Sequence, residues 1–515
     1  MLMPFQNVPL ADFTQPGPCS AMQAALADVD RRLEQDYPLI IGGTRQITGE
    51  WIVSTNPAQP DQVVGRVARA SKEHVDAAIA AALQAFPSWS RSDPEARARC
   101  LLKAAAIIRR RIYELSAWLS YEVSKSWPEA YADTAELVDF LEFYAREMIR
   151  LAGDHPTVPY PGEHNVLRYI PLGVGVVIPP WNFPLAIMGG MTAAAIVTGN
   201  TVVLKPASQA PVVAALFCQI LEEASIPPGV VNFLPGSGAD IGDALVDHPM
   251  TRFVAFTGSK EVGQRIFQRA AVFGPGQIWL KRTILEMGGK DAIIVDDTAD
   301  LDAAVDGVIA SAFGYQGQKC SACSRLIVLD SVYDQVVERL VDRARQLSIG
   351  DPTQGNVFMG AVIEPAAKRK IESYIAVGRS EGTTLLQRTD VPVNGHFVGP
   401  AIFGDVSPKA RIAQEEIFGP VLAVIRANSF DEALDIANGT EYGLTGAVYS
   451  RDRARIEKAR SEFHVGNLYF NRKCTGALVG VQPFGGFNMS GTDSKAGGSD
   501  YLQLFMQAKS ISERF

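Results

Sequence analysis

Cysteine is scarce in this sequence: six in 515 residues (Cys19, Cys100, Cys218, Cys320, Cys323 and Cys474), scattered along the chain. Such a distribution does not build a disulfide framework, and it fits a reducing compartment. Lysine and arginine are missing from the first thirty residues, so the start of the chain resembles neither a secretory signal nor an Arg-rich transit peptide, and the cytoplasm is the expected location. Histidine is also sparse, six in all, with no paired motif and no second CxxC to complete a zinc site with Cys320 and Cys323; no metal is expected. A redox pair is the other reading of that CxxC. Basic residues are outnumbered, 48 to 56, for a net charge of -8, which argues against a nucleic-acid partner. The densest basic run, Arg109 to Arg111, follows an apolar repeat at helical spacing (Leu101, Ala105, Ile108, Ile112, Leu115, Leu119) with Asp93 and Pro94 at its start. It reads as a solvated helix face. Charge of either sign is absent between Arg168 and Lys205. That length could span a bilayer, but Pro179, Pro180, Pro184, Gly189, Gly190, Gly199 and Asn200 divide it, so buried strand, loop and buried helix are expected and no membrane.

What is present is average globular composition, 47% apolar and 20% charged, over a length that predicts two or three units. From about residue 172, short β-branched runs alternate with helical segments, the pattern of βα units and a parallel sheet. Strands are predicted at 173–178, 201–204, 230–234, 252–256 and 292–295, and helices near 185–198, 211–225, 261–270 and 301–313. A second α/β set runs from Ile293 through 325–329 and 421–426 towards Phe470. Segment 155–169, with three prolines and no helical period, could pair with 501–509 in a small sheet that joins subunits.

Gly236, Gly238 and Gly242 follow an apolar run and precede a helix, but the third glycine comes one residue late for a dinucleotide fingerprint. Gly258 and Gly263 have the spacing of a P-loop, yet Gln264 and Arg265 stand where it needs Lys and Ser or Thr. A nucleotide triphosphatase is disfavoured. Thr257, Gly258 and Ser259 still precede a helix start, whose free N–H groups suit a pyrophosphate.

Four local strings carry the functional signal: PWNFP around Asn182, LKPAS around Lys205, LEMGGK around Glu286 and GQKCSACSR around Cys320. EEIFGPV (415–421) and QPFGGFNMSG (482–491) add two more. In this order and spacing they resemble the aldehyde dehydrogenase superfamily over almost the whole chain. The resemblance implies an α/β fold with a Rossmann-type cofactor domain, an α/β catalytic domain and a small β oligomerisation element. Its parts would be an N-terminal helical part (1–151) and a Rossmann-like part (170–286) for the cofactor, a catalytic domain (287–484), and oligomerisation segments at 152–169 and 485–515. A homo-oligomer, dimer or higher, follows as an expectation.

The chemistry explains the gathering. A thiolate that adds to an aldehyde creates an alkoxide able to give up hydride to a nicotinamide dinucleotide and collapse to a thioester. Cys320 matches the family nucleophile; an ordinary thiol is largely protonated at neutral pH, so its site should lower the pKa or supply a base, with Lys319 a candidate helper. Asn182 and the Cys320 N–H match the oxyanion donors. Glu286 matches the carboxylate that deprotonates the hydrolytic water, and its presence favours a free acid over acyl transfer to coenzyme A.

The resemblance assigns Ile178, Pro180, Trp181, Lys205, Ser208, Gly238, Thr257, Gly258, Ser259, Glu416 and Phe418 to the cofactor. Ser208 stands where many NAD-specific relatives have glutamate; a serine would tolerate a 2′-phosphate, so NAD is expected and NADP as well. Within the superfamily, GYQGQKCSACSR (314–325), NRKCTGALVGVQPFGG (471–486) and DFLEFYAR (139–146) resemble the branch that oxidises glutamate semialdehyde in proline degradation. That substrate carries an α-carboxylate and an α-ammonium. The resemblance gives the carboxylate to Ser321, Gly476 and Ala477 with Lys319 nearby, the ammonium to Glu136, and the aliphatic chain to Phe183 and Phe484. Glu136 could instead face solvent. Another small aldehyde, or a non-catalytic structural role, are the competing readings. The dehydrogenase pattern fills the chain and leaves no room for a fused proline dehydrogenase, so a monofunctional enzyme is expected.

Overall fold

The computed structural model describes residues 3–515. Two seven-stranded sheets organise it. The first is built around Val174–Ile178, a fully buried β-branched run. On one side it pairs in parallel with Thr201–Leu204, which pairs with Val231–Phe233; on the other it pairs with Phe253–Thr257, which pairs with Arg282–Glu286. The chain therefore leaves its first strand in both directions, and the crevice at the carboxyl ends of Val174–Ile178 and Phe253–Thr257 is where ligands bind such sheets. The charge-free stretch forms a buried strand, a loop and the helix Ala186–Val197, buried on nearly all sides. Its lack of charge is a consequence of burial on both faces of a parallel sheet.

The second sheet runs Thr383–Gln387, Ala401–Gly404, Val421–Ala427, Cys323–Leu329, Asp291–Val295, Thr445–Tyr449, Asn467–Phe470, parallel except at its first pair. Predicted strand and helix positions agree with the observed ones to within a residue or two. Two differences stand out. The first 151 residues hold, besides helices, the strands Gln35–Tyr37, Leu39–Ile41, Thr44–Gln46, Trp51–Asn56 and Gln59–Ala68. Leu39–Ile41 and Thr44–Gln46 extend the first sheet as an antiparallel edge. The apolar repeat after Asp93 is also not one helix. Asp93 does cap Pro94–Arg110, accepting from the Glu95 N–H, but Arg111 leaves helical geometry (φ -107, ψ 17) and Ile112–Val123 begins anew. Arg111 then forks onto Glu114.

Glu163–Pro171 pairs antiparallel with Met506–Arg514 and with Asp154–Pro156 in a separate three-stranded sheet. The C-terminal partner strand starts at Met506, because 501–505 forms a short 3-10 turn packed on Tyr144 and Phe253. No helix among the described residues is long and apolar enough to cross a membrane.

Candidate active site

A cavity of about 860 Å³ opens at the switch point of the first sheet and ends at Cys320. Ile178, Pro180, Trp181, Lys205, Ser208, Gly238, Thr257, Gly258, Ser259, Glu416 and Phe418 all line it, together with Asn182. Ser259 caps the helix Lys260–Ala270 by accepting from the Val262 N–H, and this helix start lines the cavity through Gly258, Ser259 and Val262. The Gly236 to Gly242 turn contributes through a π-type turn at Gly238–Gly242, which explains the irregular glycine spacing. Lys205 is buried, and burial lowers its pKa to about 8. Glu416 accepts from the Gly289 N–H at 3.0 Å, and a side chain at Gly288 would collide with the Glu416 carboxylate. Trp181 packs edge-on to Phe418, with centroids 5.5 Å apart. The cavity has the volume, the helix N-terminus, the buried amine and the carboxylate that a dinucleotide requires. Glu364, Lys370 and Gln209 also line it and carry no local motif; Gln209 donates to Glu364 at 3.3 Å.

Cys320 is delivered by a strained turn. After the helix Leu301–Phe313, Tyr315 (φ 50) and Gln316 (φ 57) both lie in the left-handed region. Buried hydrogen bonds hold them there: the Tyr315 hydroxyl donates to the Val123 carbonyl at 3.1 Å and the Gln316 amide to the Ala361 carbonyl at 2.8 Å. Such a conformation persists only where its surroundings over-determine it. The Asn182 amide donates to the Gln318 carbonyl at 3.0 Å, which fixes its orientation and uses one of its two N–H donors.

The electrostatics correct one expectation. The site does not lower the thiol pKa at rest: burial pushes the half-buried Cys320 thiol well up, and the negative charges of Glu286, Asp291 and Glu416 add to it. The Ser321 N–H opposes them. Lys319 does not serve the thiol, because its ammonium is held by Glu129 at 2.6 Å. Glu286, at the end of Arg282–Glu286, accepts from the Gly486 N–H at 3.2 Å, and burial raises its carboxyl well above the usual range, making it a good proton acceptor.

On the far side of Cys320 the helix Trp127–Leu151 forms a wall rich in acids. Glu136 is half-buried rather than solvent-facing; burial, then the Asp133 charge, pushes it up to about 8, while Lys125 and Lys319 pull the other way. Lys125 is fully buried, 2.9 Å from Asp133, and sits 3.8 Å over the Phe183 ring. Phe183 also meets Tyr315 edge-on. Ser321 is buried and its carbonyl accepts from the Cys474 thiol at 3.4 Å. Gly476 adopts φ 75 in an exposed turn with Ala477, closed by Arg472 donating to the Thr475 and Gly476 carbonyls. Phe484 is half-buried and pairs backbone-to-backbone with Ala496. Glu129, Lys125 and Asp133 escaped sequence reasoning; the one signal was a pair of charges, Glu122 and Lys125, inside a run of apolar and aromatic residues.

The aldehyde dehydrogenase family profile matches residues 45–511. The chain is 59% identical to the 1-pyrroline-5-carboxylate dehydrogenase of Geobacillus kaustophilus over 515 residues, 100% of both proteins. It superposes on a solved 1-pyrroline-5-carboxylate dehydrogenase from Thermus with bound NAD at a TM-score of 0.98, with 53% identity and 100% of each chain covered. Proline utilization A from Bdellovibrio bacteriovorus matches at a TM-score of 0.98 and 47% identity, covering 99% of this chain and 53% of that one. With the site geometry and these matches together, the chain belongs to the aldehyde dehydrogenase family.

Proposed function

We propose that this chain oxidises L-glutamate γ-semialdehyde, the open form of 1-pyrroline-5-carboxylate, to L-glutamate through a thioester on Cys320. The observation that carries the reading is a dinucleotide-sized cavity ending on a nucleophilic thiol whose far side is walled by charged groups of both signs, Lys319 with Glu129, Lys125 with Asp133, and Glu136. A simple aliphatic aldehyde would need none of them, and burying charge without use is costly.

In this reading Lys205, Ser208, Glu416 and the Gly258–Ser259 helix start hold the dinucleotide. Bound NAD supplies a cationic ring near the thiol and the two-electron acceptor for the oxidation. Ser208 places no negative charge against a 2′-phosphate, so NADP serves as well. Cys320 Sγ loses its proton to water in the cavity and bonds to the aldehyde carbon. The second Asn182 N–H and the Cys320 N–H take the negative charge on the oxygen. After oxidation, Glu286 accepts a proton from water as the water attacks the thioester carbon; the C–S bond breaks and the free acid leaves. Ser321, Gly476, Ala477 and Lys319 receive the substrate α-carboxylate and Glu136 its ammonium, while Phe183 and Phe484 flank the chain.

Steady-state kinetics with pyrroline-5-carboxylate and each cofactor test this. High kcat/KM with pyrroline-5-carboxylate is expected; preference for a simple aliphatic aldehyde would sink the reading, and so would NADH production by Cys320→Ala. Subunit pairing through the Glu163–Pro171 and Met506–Arg514 sheet belongs to the same reading, since Val158, Tyr160 and Phe515 are exposed beside it. A monomer in light scattering would remove that part.

A further inference from the structure

The N-terminal arm ahead of the helix Pro16–Asp30 has no regular structure over residues 3–12, yet it is tied down by specific contacts. The Asn7 amide donates to the Asp139 carboxylate at 3.0 Å and to the Val479 carbonyl at 3.0 Å. The Val8 N–H donates to the other Asp139 oxygen at 2.9 Å. Asp139 lies one helical turn beyond Glu136 on Trp127–Leu151, and Val479 lies just beyond the Gly476–Ala477 turn. One short side chain thus bridges two walls of the substrate site that are joined to each other by no strand.

The surrounding packing explains why the bridge sits there. Phe5 meets Phe143 edge-on at 5.3 Å, and Gly480 (φ 75) passes so close that a side chain there would lie 3.0 Å from the Phe143 ring and 3.2 Å from the Phe5 ring. The Gly480 N–H donates to the Gly497 carbonyl at 2.9 Å, and the Gly497 N–H takes the Tyr144 hydroxyl as acceptor at 2.8 Å. Arm, helix and the 479–484 loop form one connected block, with the Phe484–Ala496 pair at its end.

We infer that Asn7 is a positioning residue: the N-terminal arm clamps the 476–480 turn to the helix that carries Glu136, and so sets the spacing between the groups that receive the two charged ends of the substrate. This rests on the substrate assignment made above. It touches neither Cys320 nor the dinucleotide cavity, so the clamp should act on binding of the amino-acid end and leave the chemistry alone. A loss of that kind raises KM with kcat unchanged.

The test uses the full chain with Asn7→Ala, and Val8→Pro to remove the second donor. Wild type and variants are compared by kcat and KM with pyrroline-5-carboxylate and with propionaldehyde, by NADH affinity, and by amide hydrogen exchange of residues 475–481. Expected for Asn7→Ala are a rise of about tenfold in KM for pyrroline-5-carboxylate with kcat within twofold, unchanged propionaldehyde kinetics and NADH affinity, and faster exchange in the turn. Asn7→Gln, which keeps the amide, should recover part of the KM. Unchanged exchange in the turn overturns the inference, as does an equal loss with both aldehydes, which would mark a merely structural role. Should wild type fail to oxidise pyrroline-5-carboxylate, the substrate reading falls, while the exchange data still decide whether the clamp exists.

Discussion

Replacing Glu286 with Gln separates the two halves of the proposed reaction. The amide keeps the shape of the carboxylate and an oxygen able to accept the Gly486 N–H at 3.2 Å, so the 485–491 loop has no cause to move. What is lost is a carboxyl that burial holds well above its ordinary range, and therefore a strong proton acceptor for the hydrolytic water. A positioned base contributes typically about 10²- to 10⁴-fold, so turnover should fall at least about a hundredfold, or ~2.7 kcal/mol in the barrier to thioester hydrolysis. Thioester formation should survive.

Stopped-flow mixing of enzyme and NAD with substrate should therefore show a burst of one NADH per Cys320, as fast as in wild type, then a slow steady state. Mass spectrometry of the quenched protein should find the acyl group on Cys320. A variant with no burst would refute the reasoning, because it would put Glu286 before the thioester. Full steady-state turnover would refute it equally.

Asn182→Ala removes a donor aimed beside Cys320 and should lower kcat by about a hundredfold with little change in NAD affinity, read by steady-state kinetics and fluorescence titration. Ser208→Glu puts a carboxylate on the cavity wall near Lys205; kcat/KM with NADP should fall about a hundredfold while that with NAD changes by no more than a few-fold. Lys125→Met strands Asp133, since both are fully buried 2.9 Å apart, and should destabilise the fold by about 3–5 kcal/mol in denaturant unfolding. Adding Asp133→Leu should return part of that loss; a double variant less stable than the single one would contradict the pairing.

How much of this was legible in the sequence depends on how local each feature is. The cofactor residues sit on turns directly after strands, and a βα unit places its strand ends at one crevice whatever the rest of the chain does; every residue expected there lines the cavity. Of the strands at 35–68, Gln35–Tyr37, Leu39–Ile41 and Thr44–Gln46 are three residues each, too short for a period to show, and Leu39–Ile41 joins the large sheet through the distant Val231–Phe233 besides its local partner Thr44–Gln46. Arg111 breaks a helix that its apolar spacing would continue, because the chain turns there to pack Ile112–Val123 and to pair Glu114 with both Arg111 and Arg32.

The substrate wall was the least legible part, and segment 122–127 shows why. Its two charges, Glu122 and Lys125, belong to no local motif that would assign them a role. In the fold both are buried, and each is satisfied from a distance. The Glu122 carboxylate accepts from Ser54 and from the N–H groups of Val212 and Val213, at the start of the Pro211–Glu223 helix. Burial still pushes it up to about 7. Lys125 takes Asp133 and the Phe183 ring. A buried charge is affordable only with such partners, and those partners lie on the neighbouring helix and across the sheet. The only sequence signal was charge where flanking Tyr121, Val123 and Trp127 demand burial. The same argument applies to Lys319, whose place in a cysteine motif suggested help for the thiol. Its partner Glu129 lies 190 residues away, and that pairing turns it from the thiol towards the wall where the charged ends of a substrate would bind.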